Sequence, residues 1–163
     1  MDTDKAICNA PWLTEDGIDL TRFPIDAILA QSLERDEDSF RSAVNLLRSM
    51  SAAGRTEAGI YLLGLLAASE TDLERRAMIV EGLREQHTPA CANVLFAELK
   101  RVKSSNTTRR YLKTVIDVLA SLPPELVKVG FEELANDTSF SYKMRNKFQA
   151  VSQELEFRDQ HYW

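Results

Sequence analysis

A basic residue returns every 34 positions along this chain, at Arg41, Arg75, Arg109 and Lys143, and each is followed by an apolar helical pattern. Small residues at Gly64, Ala97 and Gly130 recur every 33. Periods of ~20–50 residues mark stacked supersecondary units, because one such unit cannot bury its apolar face alone. The expectation is an all-α fold: a right-handed α-α superhelix of roughly three to four stacked antiparallel hairpins. A length of 163 residues suits one domain, able to bury roughly 68–70% of its unfolded surface.

Helix starts follow at regular intervals. Asp38-Ser39 and Thr56-Glu57 each precede an apolar pattern, and Thr71-x-x-Glu74 has the form of a capping box. Thr88-Pro89 pairs an N-cap with proline at the first helical position, where the missing N–H costs nothing. Ser105-Asn106, Ser121 before Pro123-Pro124, and Ser139 continue the series. Apolar stripes at helical spacing agree: Ala43, Leu46, Leu47 and Met50; Ala92, Leu95, Leu99 and Val102; Leu112, Val115, Ile116 and Leu119. Val127, Phe131 and Leu134 make another, as do Met144, Phe148, Val151 and Leu155. Ile60 to Leu66 is apolar all round and reads as a helix covered on several sides. Pro24, Ile25, Ile28, Leu29 and Leu33 read as the first helix. Nothing alternates with period two, so essentially no sheet is expected.

The chain therefore divides into an irregular N-terminal cap over 1–23, helical hairpins over 24–156 and a tail over 157–163. Trp12, Leu13 and Phe23 are expected to pack the cap onto the first hairpin. The aromatic tail is read either as a seal on the last helix or as an exposed contact.

Two helices per unit at this period resemble the HEAT/armadillo superfamily over roughly 38–156. In a HEAT unit an Asp ends the first helix and a basic residue six positions on opens the second. Arg41, Arg75, Arg109 and Lys143 meet the basic position; only Asp137 meets the acidic one, with Arg35, Ser69 and Lys103 standing elsewhere. The match is one of architecture. Tetratricopeptide units would need small residues twelve after Gly64, Ala97 and Gly130, where Arg76, Arg109 and Tyr142 occur instead. The small trio is read as letting neighbouring helices approach. The resemblance implies that second helices, about 40–51, 72–86, 106–121 and 140–156, line a concave surface that binds macromolecules.

Charge is unevenly placed. Residues 1–38 hold ten acids against Lys5, Arg22 and Arg35, whereas 99–116 hold six cations and no acid. Met1-Asp2-Thr3-Asp4 does not read as an export signal, and Gly59 to Ala68 is too short to span a membrane. Cys8 and Cys91 lie in unlike contexts, which suggests reduced thiols and a cytoplasmic location.

Chemistry-bearing patterns are sparse. His87 and Cys91, four apart, lack the companion pair that a zinc site needs. No nucleophile elbow and no dinucleotide fingerprint occurs, and with six glycines in the chain a phosphate-cradling loop is not expected. The reading is non-catalytic, with no metal or cofactor. The ladder of Arg41, Arg75, Arg109 and Lys143 is read as structural, stems covering apolar surface and heads bridging units or capping carbonyls. Lys100, Arg101, Lys103, Arg110 and Lys113, with Asp117, form the candidate binding group around the Ser104–Thr108 loop. Its bland counterpart is a solvated turn whose cations complement a helix C-terminus. The expected partner is another protein, bound by an adaptor or a small inhibitor of immunity type. Concave positions of mixed charge (Glu81, Glu85, Arg110, Lys113, Asp117, Asn146, Gln149, Gln153) motivate a protein partner, and the acidic N-terminal region motivates the inhibitor version, which would cover a basic partner. The alternative is a nucleic acid or phosphoprotein on the 99–113 patch.

Overall fold

The computed structural model describes residues 10–69 and 72–161. A two-stranded ribbon, β1 (Leu13–Thr14) and β2 (Gly17–Ile18), comes first. Eight helices follow among the described residues: α1 (Asp26–Gln31), α2 (Glu37–Ala52), α3 (Thr56–Ala68), α4 (Leu73–Gly82), α5 (Pro89–Arg101), α6 (Arg109–Ser121), α7 (Pro124–Asn136) and α8 (Tyr142–His161). The described residues are all-α but for the ribbon.

Local chemistry sets the helix starts. The Asp36 carboxylate accepts from the Ser39 N–H and opens α2, and Asp72 accepts from the N–H groups of Glu74 and Arg75 to open α4. Both carboxylates satisfy donors that the first helical turn leaves unpaired. Thr88 caps α5 through the Cys91 N–H at 3.2 Å, with Pro89 at the first helical position. Pro124 likewise takes the first helical position of α7, without a side-chain cap. Between α2 and α3 the chain turns at Gly54, whose φ of +98° favours glycine. Thr71 lies outside the described residues.

Helices α2 and α5 to α8 bury most of the stripe that their spacing marks. Ala43, Leu47 and Met50 of α2, Leu95 and Leu99 of α5, and Leu112, Val115 and Leu119 of α6 are all buried, as are Phe131 of α7 and Phe148 and Leu155 of α8. Helix α2 packs on α3 and α4, and α3 on α4. In turn α4 packs on α6, α5 on α6 and α7, and α7 on α8. An aromatic chain closes the C-terminal end. Phe96 and Phe131 meet edge-on at 5.3 Å, and Phe140 and Phe148 at 5.2 Å, binding α5, α7 and the α8 approach together.

Several expectations need correction. The N-terminal region is not wholly irregular: Leu13 pairs with Ile18 and Thr14 with Gly17 in an antiparallel ribbon too short for a period-two signal. Trp12 and Phe23 do stack edge-on at 4.9 Å, but Leu13 points outward at 42% exposure. Residues 1–9, including Cys8, lie outside the described residues. Helix α1 is only six residues long and leaves Leu33 exposed. The helix expected over 72–86 ends at Gly82, where Leu83 to Gln86 continue as turns. Residues 157–161 belong to α8, while Tyr162 and Trp163 lie outside the described residues. Ile60 is 65% exposed, so α3 keeps one open side despite its uniform apolarity. Of the two glycines in the small trio, Gly130 serves a close approach, since a Cβ there would fall 2.4 Å from the Phe96 ring, while Gly64 faces open space. Gly82 takes the role instead, against Val44 at 2.9 Å.

Candidate binding groove

Helices α2, α4 and α6 together line a groove of about 740 Å³. Val44 (from α2), with Leu73, Ala77 and Met78 from α4 and Tyr111 from α6, supplies apolar lining. Glu37, Arg41 and Asn45 line the α2 side, Glu74 and Glu81 the α4 element, and Thr107, Arg110 and Thr114 the α6 side. A ligand seated here would meet apolar contact bordered by both signs of charge.

The charged lining is not equally free. Glu37 and Arg41 pair with each other at 2.8 Å across one helical turn. Arg84 grips Glu81 with two guanidinium nitrogens at 2.8–3.1 Å. Among the described residues Glu74 and Arg110 have no side-chain ion-pair or hydrogen-bond partner. They are the two lining charges of opposite sign left without such a partner among the described residues.

A buried polar hub stands behind this groove. Arg76, adjacent in sequence to the ladder residue Arg75, is 1% exposed. Its guanidinium donates to the Leu66 carbonyl at 2.8 Å and to the Glu98 carboxylate, and lies 5.7 Å from the Tyr111 ring centroid. The Tyr111 hydroxyl donates to the same carboxylate at 2.5 Å, and Arg101 adds a contact at 3.1 Å. Burial works to lift the Glu98 carboxyl, but hydrogen bonds from Arg76 and Tyr111 and the nearby positive charge outweigh it and hold it below its ordinary range. Burial and the anionic neighbour push the Tyr111 phenol up. One carboxylate thus ties α4, α5 and α6 together, with the α3 C-terminus joined through Leu66.

The residues marked by their charge are dispersed. Arg110 faces the groove. Arg101 is occupied by Glu98, and Lys113 pairs with Asp117 at 3.0 Å on the α6 surface. Lys100 is exposed at a second, smaller groove of about 390 Å³ between α5 and α7. Lys103 is exposed in the loop, where its carbonyl accepts from the Thr108 hydroxyl at 2.6 Å. Ser105 and Thr108 spend their polar groups on each other, so the loop is internally bonded.

The four ladder positions differ in environment. The Arg75 guanidinium stacks 4.4 Å above the Phe40 ring and donates to the carbonyls of Glu34 and Arg35, joining α4 to the approach to α2. Among the described residues Arg41 makes only the pair with Glu37, and Arg109 reaches Asn106 at 3.1 Å. Lys143 is exposed on α8.

Sequence reasoning includes Glu81 and Arg110 in its concave surface but misses Glu37, Glu74 and Met78. A signal was present: Leu73, Ala77 and Met78 lie off the Ile79–Val80–Leu83 stripe, giving α4 more apolar residues than one buried face uses. Helix α8, expected to extend the concave row, contributes no side chain to the groove lining. Its residues Asn146, Gln149 and Gln153 are exposed elsewhere.

His87 is exposed while Cys91 is fully buried, its thiol pushed up to about 12 by burial. Among the described residues no three potential metal ligands cluster, and no helix is long and apolar enough to cross a membrane. Comparison with family models, curated proteins and solved structures yields no match for this chain.

Proposed function

We propose that the chain is a non-catalytic protein-binding module whose partner seats in the α2–α4–α6 groove. The carrying observation is its lining: Val44, Leu73, Ala77 and Met78 beside the charges of Glu74 and Arg110, which have no partner among the described residues. Apolar contact surrounded by polar groups is the composition of protein-recognition surfaces. A phosphate-tracking surface needs charge of one sign, supplied by cations. Here Glu37, Glu74 and Glu81 stand among the cations, while Arg101 and Lys113 have carboxylate partners of their own. These placements favour a protein over the nucleic-acid or phosphoprotein alternative.

The proposed architecture is a short HEAT-like superhelix. Packing of α4 on both α2 and α6, and of α5 on α7, supports it, because such next-but-one contacts arise when hairpins stack. A cytoplasmic setting is part of the proposal, consistent with the buried unpaired thiol of Cys91.

The test is affinity capture with the protein and two variants, Met78→Glu and Arg110→Glu, alongside Glu132→Arg on α7 as a remote control. Specific partners should be retained by the wild type and the control and lost from both groove variants, with circular dichroism unchanged. Partners that survive both groove changes would place recognition elsewhere. Labelled DNA and RNA, titrated at low and high salt, should show no steep salt-dependent binding. Strong low-salt binding abolished by Arg110→Glu would favour the alternative.

A further inference from the structure

Building on the groove reading above, we infer that the partner segment is an amphipathic helix carrying a basic residue toward Glu74 and an acidic residue toward Arg110. Two observations argue for a helix. The walls are themselves helices, whose backbone groups are internally bonded, so the groove presents no open edge to which a strand could add. Neutral polar lining is scarce: Asn45 is available, but the Thr107 hydroxyl is already bonded to that of Ser105 at 2.9 Å and the Thr114 hydroxyl donates to the Arg110 carbonyl at 3.2 Å. An extended peptide would bury backbone N–H and C=O groups without enough partners, whereas a helix satisfies its own.

Charge complementarity sets the flanks. Glu74 lies on α4 and Arg110 on α6, so the two opposite charges stand on different walls with Met78 and Tyr111 in the same lining. A segment with one flank basic, the other acidic and an apolar ridge between would neutralise both. A uniformly basic or acidic helix would leave one wall in like-charge contact.

The probe is a displayed library of random 16-residue peptides, selected on the full chain, on Met78→Glu and on the double exchange Glu74→Lys/Arg110→Glu. Wild-type selections lost on Met78→Glu should carry apolar residues at helical spacing with opposite charges on the two flanks. The double exchange should select the reversed polarity, and each single charge reversal should weaken a wild-type peptide about three- to fivefold, as for rim ion pairs. Groove-dependent peptides that are proline-rich, of one charge sign, or indifferent to the double exchange would overturn the inference and leave the groove reading standing. If no selected peptide is lost on Met78→Glu, the groove reading fails and this inference with it.

Discussion

Arg76 and Glu98 form an ion pair inside the protein, with 1% and 10% of their side chains exposed, and the Tyr111 hydroxyl completes the carboxylate's coordination. Neither partner reaches water freely, so each depends on the other. Glu98→Gln strands the Arg76 charge and should cost about 3–5 kcal/mol in urea unfolding. Replacing Arg76, Glu98 and Tyr111 together by Met, Leu and Phe should recover most of that loss, because no orphaned charge remains. A change under about 0.5 kcal/mol for Glu98→Gln would mean that the pair is solvated.

Glu98 also sets an acid dependence. Its folded carboxyl lies below the ordinary value of 4.5, so its contribution is fully present above that value and is lost as pH falls through the folded one. Urea midpoints measured from neutral pH down into the range below 4.5 should therefore decline, and Glu98→Leu/Arg76→Met should decline less. Equal slopes for the two proteins would remove Glu98 from the acid response.

Two glycines should respond oppositely to alanine. Gly64→Ala meets nothing within 4 Å and should stabilise by about 0.5–1 kcal/mol through helix propensity. Gly130→Ala drives a methyl into the Phe96 ring, itself held edge-on against Phe131. Overpacking costs about 1–3 kcal/mol and should outweigh the propensity gain. Thermal melts separate the cases, and a raised midpoint for Gly130→Ala would show that α5 and α7 have room to move apart.

The thiol of Cys91 should be silent in the native protein. With its pKa near 12, only about one part in 10⁴ is thiolate at pH 8, and the sulfur is fully buried. In a Cys8→Ser background, an aromatic disulfide reagent should label nothing until urea unfolds the chain. Rapid labelling without denaturant would show that α5 opens locally.

A helix lost at its start should cost less than a lost core pair. Thr88→Ala removes the acceptor for the Cys91 N–H, at about 1 kcal/mol, which corresponds to about 2–4 °C in the melting midpoint. A midpoint unchanged within 1 °C would mean that Pro89 alone sustains the start of α5.

Helix existence was legible in the residues because its causes are local: the 3.6-residue period of Leu112, Val115, Ile116 and Leu119, the Thr88-Pro89 start, and the proline at 124. Partnership was not, because it depends on groups distant in sequence. Arg75 and Arg76 are neighbours with identical chemistry, yet a rotation of about 100° per residue sends one over Phe40 and the other into the core toward Glu98. The basic ladder names the first and passes over the second. In the same way, six cations close together in sequence are dispersed once α5 and α6 turn their faces apart and Glu98 and Asp117 occupy two of them. Sequence by itself determined the helices and their buried stripes. Only the tertiary structure decided which charges are spent on the fold and which, at Glu74 and Arg110, are left unpaired among the described residues, since pairing is set by distance in space.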